Sequence, residues 1–200
     1  MRSTEPHRKL PRSNIATDEK IAYSIADEAG KSNKTLYAFV NESLDADLKV
    51  YKDGGSPSDI YPSWRFVQML KDVDAIPVPG DLLEKMIRRS YENPSEREWL
   101  LKTWFDEGMR LGTYLQLSSP QIAELTAEVK ALQGMLPVKR IELKNYEKDK
   151  TSLIVRAIGV GLSAESTRCA EQFLRGIIAS YSLNVTNSKV SEGIIELLVG

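Results

Sequence analysis

The sequence of 200 residues predicts an α+β protein with a two-helix module near the N-terminus, a helical middle and a C-terminal ββαββ module. Three observations predict this. Apolar residues between Asp18 and Tyr51 recur at three- and four-residue spacing on both sides of a Gly30-Lys31-Ser32-Asn33 turn. Proline-led start signals punctuate the chain from Ser56 to Ser119. From Val138 the hydrophobic period changes to two.

Residues 1–11 read as a basic arm, with Arg2, Arg8 and Lys9 against Glu5. Such an arm can contact phosphates, or serve only as a solubilising tail. The module over 12–52 starts with a short extended piece, Arg12-Ser13-Asn14-Ile15-Ala16-Thr17. Thr17 or Asp18 can cap the first helix, which carries Ile21 and Ile25 on one face. Gly30 can take the left-handed conformation that ends it. Ser32 or Asn33 is placed to cap the second helix, whose apolar stripe is Leu36, Phe39, Val40, Leu44, Leu48 and Tyr51. Two helices this short cannot bury their stripes alone, so the unit is expected to pair with a copy of itself.

Lys52-Asp53-Gly54-Gly55-Ser56-Pro57 marks a module boundary. The helical module over 56–137 has a helix that Pro62 begins or kinks. A second follows Pro77-Val78-Pro79-Gly80, with Asp81 as its cap, and a third follows Asn93-Pro94. A last one is expected after Ser118-Ser119-Pro120, with Ile122, Leu125, Val129 and Leu132. Trp64, Trp99 and Trp104 all fall here and read as packing anchors, the sharper alternative being an aromatic pocket for an apolar ligand. An excess of acid over base argues against a DNA surface in this region.

The module over 138–200 starts with the alternating run Arg140–Lys144 and the β-rich run Ser152–Arg156, with Glu147–Lys150 as the turn. Ser163 caps a helix to about Tyr181. Asn184–Val190 and Gly193–Val199 read as two more strands. This gives one helix across an antiparallel sheet, an effector or oligomerisation module.

The Asp18-Glu19 helix start, the Gly30–Asn33 turn and the Leu36/Val40/Leu44 spacing resemble the ribbon-helix-helix DNA-binding family, which includes the Arc and MetJ repressors. The resemblance covers about a quarter of the chain. It implies a strand over Arg12–Thr17 that pairs with its copy and enters the major groove of double-stranded DNA. Ile15 would turn inward, and Arg12, Asn14 and Ala16 would face the bases. It also implies a phosphate held near Ser32, Asn33 and Lys34, with Lys31 nearby. The DNA-binding set is then Arg8, Lys9, Arg12, Asn14, Ala16, Lys31, Ser32, Asn33 and Lys34. The homodimer or tetramer interface is Ile15, Ile21, Ile25, Leu36, Val40 and Leu44. Ile15 is the one good β-former of the strand, and Ala16 stands where the family often has a polar base-reading residue. The segment IADEAGKSNKTLYAFV is also similar to the helix-turn-helix of TetR-type repressors, although Lys31 stands where that turn wants a small apolar residue. A plain dimerising hairpin is the third reading. The overall layout resembles archaeal proteins with a ribbon-helix-helix start. Cys169, Phe173 and Gly176 faintly resemble the helix of vinyl-reductase-type small-molecule-sensing domains, but such residues on one helix are more often core residues and a close-packing site; a small-molecule effector is left unidentified.

The residues argue against catalysis. His7 is the one histidine, and Cys169 has no histidine to activate it. One cysteine fits a reducing, cytoplasmic setting, and no apolar run reaches membrane-spanning length. A His/Cys zinc site cannot be assembled within one chain. Gly159-Val160-Gly161 lacks the third glycine of a dinucleotide fingerprint and the lysine of a P-loop. No cofactor or metal is expected. The competing function class is a non-enzymatic interaction protein.

Overall fold

A computed structural model describes residues 13–127, 138–145, 152–159 and 163–200. The chain divides into two compact units, Met1–Pro57 and Ser58–Gly200, and the division falls in the Lys52–Pro57 punctuation. Arg8, Lys9 and Arg12, the Glu147–Lys150 turn and residues 128–137 of the expected last helix lie outside the described residues.

The first unit holds helix α1, Glu19–Lys31, and helix α2, Leu36–Lys52. The Asp18 carboxylate accepts from the Lys20 N–H at 2.9 Å and caps α1. The end of α1 differs from the expectation. Gly30 stays within the helix, and Asn33 takes the left-handed position at φ 53°. The Asn33 N–H donates to Gly30 O and the Lys34 N–H to Ala29 O, so two terminal carbonyls are satisfied in a Schellman arrangement. Asparagine tolerates this conformation, so the turn runs three residues further than the glycine suggests. Neither Ser32 nor Asn33 caps α2. Thr35 does, its hydroxyl accepting from the Ala38 N–H at 3.2 Å. Among the described residues, 13–18 pair with no strand.

The second unit begins with a single 3-10 turn, Pro57–Asp59, and helix α3, Ile60–Asp72. Pro62 sits in the first turn of α3, where its missing N–H has no helical partner to lose. Helix α4 spans Gly80–Tyr91, and Asp81 lies inside its first turn rather than capping it. Asn93 caps helix α5, Pro94–Leu115, accepting from the Ser95 N–H. The chain after Pro120 forms a 3-10 helix over Ile122–Ala127.

The sheet contains β1 (Arg140–Asn145), β2 (Leu153–Ile158), β3 (Val185–Ser191) and β4 (Ile194–Val199). Helix α6, Ala164–Ser180, connects β2 to β3. The spatial order is β1-β2-β4-β3, antiparallel throughout. Alternation gives the sheet two distinct faces. Leu153, Val155 and Ala157 of β2 align with Val199, Leu197 and Ile195 of β4, and all six are buried against α6. The fold is thus mixed α+β, with six α-helices among the described residues and a four-stranded antiparallel sheet.

The helical middle and the ββαββ segment are not separate bodies. One core joins Met69 and Val73 of α3, Leu111 and Leu115 of α5, Leu174 and Ile177 of α6 and the inner sheet face. Helices α5 and α6 meet backbone to backbone. A Cβ added at Gly108 would lie 2.1 Å from the Phe173 carbonyl oxygen, and one at Gly176 would lie 2.1 Å from that of Phe105. Among the described residues, no helix is long and apolar enough to cross a membrane.

A polar tie fixes α4 to the N-terminus of α6. The Glu84 carboxylate accepts from the Ser166 hydroxyl and, at 3.2 Å, from Arg88 Nε. Burial works to raise the carboxyl, but hydrogen bonds from Ser163, Ser166 and Arg88 outweigh it and hold Glu84 below its ordinary value. The positive end of the helix favours the same form. A group depressed in the folded state stabilises above its unfolded pKa, and that contribution is lost as pH falls through the folded value. Glu84→Gln is therefore expected to cost about 2 kcal/mol at pH 7. The deficit should shrink as pH falls below the ordinary carboxylate range. Urea melts at pH 7 and in that acid range check this; an equal deficit at both would refute the charge-based account.

Candidate nucleic-acid interface and dimer face

The first unit exposes most of its apolar stripe. No residue of α2 is buried, and Ala29 is the one buried residue of α1. Ile15 is 70% exposed, Ile21 53%, Leu36 50% and Leu44 38%, while Ile25 and Val40 are half-buried. The extended segment before α1 runs beside α2. Asn14, Ile15, Leu36, Tyr37, Val40 and Leu44 line an open groove of about 820 Å³ there. The structure thus brings together four of the six interface residues, Ile15, Leu36, Val40 and Leu44. Ile21 and Ile25 do not line the groove.

The expected DNA-binding set is divided. Asn14 lines the groove, and Ala16 is exposed on the extended segment. The phosphate site at the turn is not formed as expected. The backbone N–H groups of Ser32, Asn33 and Lys34 donate to Glu28, Gly30 and Ala29 carbonyls at 2.9–3.0 Å, so they are spent on ending α1. The Lys31 ammonium lies 2.7 Å from Asp27 and 2.8 Å from Glu28. The hydrogen bonds it donates to Asp27 and then Glu28 hold its pKa above the ordinary lysine value. Lys34 pairs with Glu42. Exposed pairs of this kind are weak, and a phosphate can compete with them. Sequence spacing shows these carboxylates only as helix-face neighbours; Asp27 and Lys31 at i,i+4 were the available signal.

In the second unit only one tryptophan acts as a core anchor. Trp104 packs edge-on against Phe173, ring centroids 6.1 Å apart. Trp99 is exposed, and Trp64 is exposed and stacks on Tyr61 at 6.0 Å. Beside Trp104, an open cavity of about 250 Å³ is lined by Val73, Ala75, Trp104, Arg110, Leu111 and Phe173. Arg110 closes one side, donating from Nη1 to the Val73 carbonyl at 2.8 Å. Cys169 is buried, and burial, with the charges of Glu84 and Glu165, pushes its thiol up to about 12. Such a thiol is almost wholly protonated near neutrality and is a poor nucleophile. Cys169 and Gly176 therefore serve as a core side chain and a close-packing position.

No protein-family model, curated protein or solved structure matches this chain.

Proposed function

We propose that the chain is a DNA-binding transcriptional regulator whose N-terminal unit works as a homodimer, alone or within a tetramer. The observation that carries this reading is the open groove in which Ile15, Leu36, Val40 and Leu44 converge, with no cover among the described residues. A second copy related by a two-fold axis supplies the same apolar residues in return. Pairing of the two 12–17 segments as a ribbon turns Ile15 into that core. It requires Asn14, which lines the groove in the single chain, to turn outward beside Arg12 and Ala16, toward the major groove of a duplex. Arg8 and Lys9 follow the backbone. The small cavity beside Trp104 is where an apolar effector fits in this reading.

The test is anisotropy of a labelled mixed-sequence duplex across a salt series. Affinity is expected to fall steeply with salt, and replacing Arg8 and Lys9 together by alanine should flatten the log–log slope by roughly 2. Single alanine changes at Lys31 and Lys34 should matter less, because each lysine already has a carboxylate partner. On a selected operator, Asn14→Ala should cost about 1–3 kcal/mol of discrimination at one base position and leave non-specific binding unchanged. Absence of duplex binding in low salt would refute the proposal.

A second reading, a non-enzymatic interaction protein whose hairpin only dimerises, has one specific support. The turn's N–H groups and both its lysines are engaged within the unit.

A further inference from the structure

The outer face of the sheet carries a pattern that the N-terminal reading does not use. Its middle row crosses all four strands in register: Glu142 on β1, Arg156 on β2, Glu196 on β4 and Lys189 on β3. The charges alternate in sign along the row. Arg156 and Glu196 are ion-paired, Arg156 Nε donating to Glu196 at 3.0 Å. Their hydrogen bond holds the Glu196 carboxyl below its ordinary value. Glu142 is also ion-paired along its own strand, with Arg140 and Lys144. The rows on either side are apolar at the two central strands, with Ile154 beside Leu198 and Ile158 beside Ile194. Ile194 is 48% exposed, and the other three are half-buried. Helix α6 packs on the inner face and covers none of these residues.

From this arrangement we infer that the outer sheet face binds the same face of a second copy, across a two-fold axis parallel to the strands. The charge row selects that axis. A two-fold parallel to the strands reverses the strand order and keeps each row opposite itself. Glu142 then faces Lys189 of the second copy, and Arg156 faces its Glu196, so all four contacts join opposite charges. The apolar pairs also meet, Ile154 with Leu198 and Ile158 with Ile194. A two-fold perpendicular to the strands would instead set each middle-row charge against its own copy, which is repulsive at every position. Strands kept parallel in this way give the aligned packing of two twisted sheets, about 10 Å apart. Four strands of six or seven residues cover about 19 by 20 Å, on the order of 400 Å² per copy, the size of a weak, transient interface. The ion row sets the orientation, and the aliphatic rows supply the affinity, because partly buried charges recover little beyond their desolvation.

The test uses the full chain carrying Val40→Asp, so that the N-terminal face makes no contribution. At roughly 100 µM, sedimentation equilibrium should give the mass of two chains. Adding Arg156→Glu or Glu196→Arg should reduce it to one chain, since each change sets like charges across the axis. Mixing these two variants in equal amounts should restore the two-chain mass, because the acidic row of one then faces the basic row of the other. An ion row that serves only its own sheet cannot give that rescue. Ile194→Asp, at an exposed site outside the row, should also give one chain, with its near-UV dichroism unchanged; it decides the matter if a charge variant does not fold. A one-chain mass for the Val40→Asp chain, a two-chain mass for Ile194→Asp in that background, or no rescue between folded variants would overturn the inference.

Discussion

Gly108→Ala is expected to destabilise the second unit by about 3 kcal/mol or more. The added methyl would stand 2.1 Å from the Phe173 carbonyl oxygen and 2.9 Å from its carbon, atoms of a helix backbone that cannot swing aside. Relief requires α5 and α6 to separate. Separation opens gaps along Leu111, Leu115, Leu174 and Ile177, the middle of the core. Gly176→Ala meets Phe105 from the other helix in the same way. Gly30→Ala is the contrasting case, since nothing lies within 4 Å of a Cβ there and the residue is helical. It should leave the first unit unharmed or stabilise it by about 0.5–1 kcal/mol. Chemical denaturation of the three variants checks this. A Gly108→Ala loss below about 1 kcal/mol would mean that the helices are not held at this distance.

Val40→Asp is expected to abolish pairing through the N-terminal unit. Ile194→Asp supplies a background in which the sheet face makes no contribution. In it the chain should sediment as a dimer, and addition of Val40→Asp should leave a monomer. Val40 lies in the groove between Leu36 and Leu44, so an aspartate there would be buried by the second copy without a counterion. Burying an unpaired charge costs several kcal/mol, enough to weaken association by at least a hundredfold. The lone unit should keep its helices, because Val40 is only half-buried before pairing. An unchanged mass would remove the N-terminal dimer from the account.

How far the fold was legible depended on whether its cause was local. The ββαββ segment could be read because strand alternation and the Ser163 cap each act over a few residues. Ser163 does accept from the Ser166 N–H. The union of the helical middle with that segment was not legible. It rests on Gly108 and Gly176, which meet across 68 positions, and a glycine inside a helix carries no sign of what approaches it. The turn at Ser32–Lys34 was misjudged for a local reason: both Gly30 and Asn33 can end a helix, and the fold uses the asparagine. That choice spent the N–H groups assigned to a phosphate. The tryptophans show the limit of composition, since size alone marks Trp64, Trp99 and Trp104 alike, and only Trp104 meets the core. Of the site itself, the apolar stripe was legible from helical period, and its convergence with Ile15 followed from the path of the extended segment.

The central claim is that the N-terminal segments of two copies form one ribbon. Isotope-filtered NOE spectroscopy on the full chain, mixing labelled and unlabelled copies, tests it most directly. The account predicts intermolecular backbone contacts among residues 13–17, in an antiparallel pattern with Ile15 also touching Val40 and Leu44 of the second copy. Intermolecular contacts confined to α2, with none from residues 13–17, would contradict it and leave a hairpin that dimerises without presenting a ribbon to DNA.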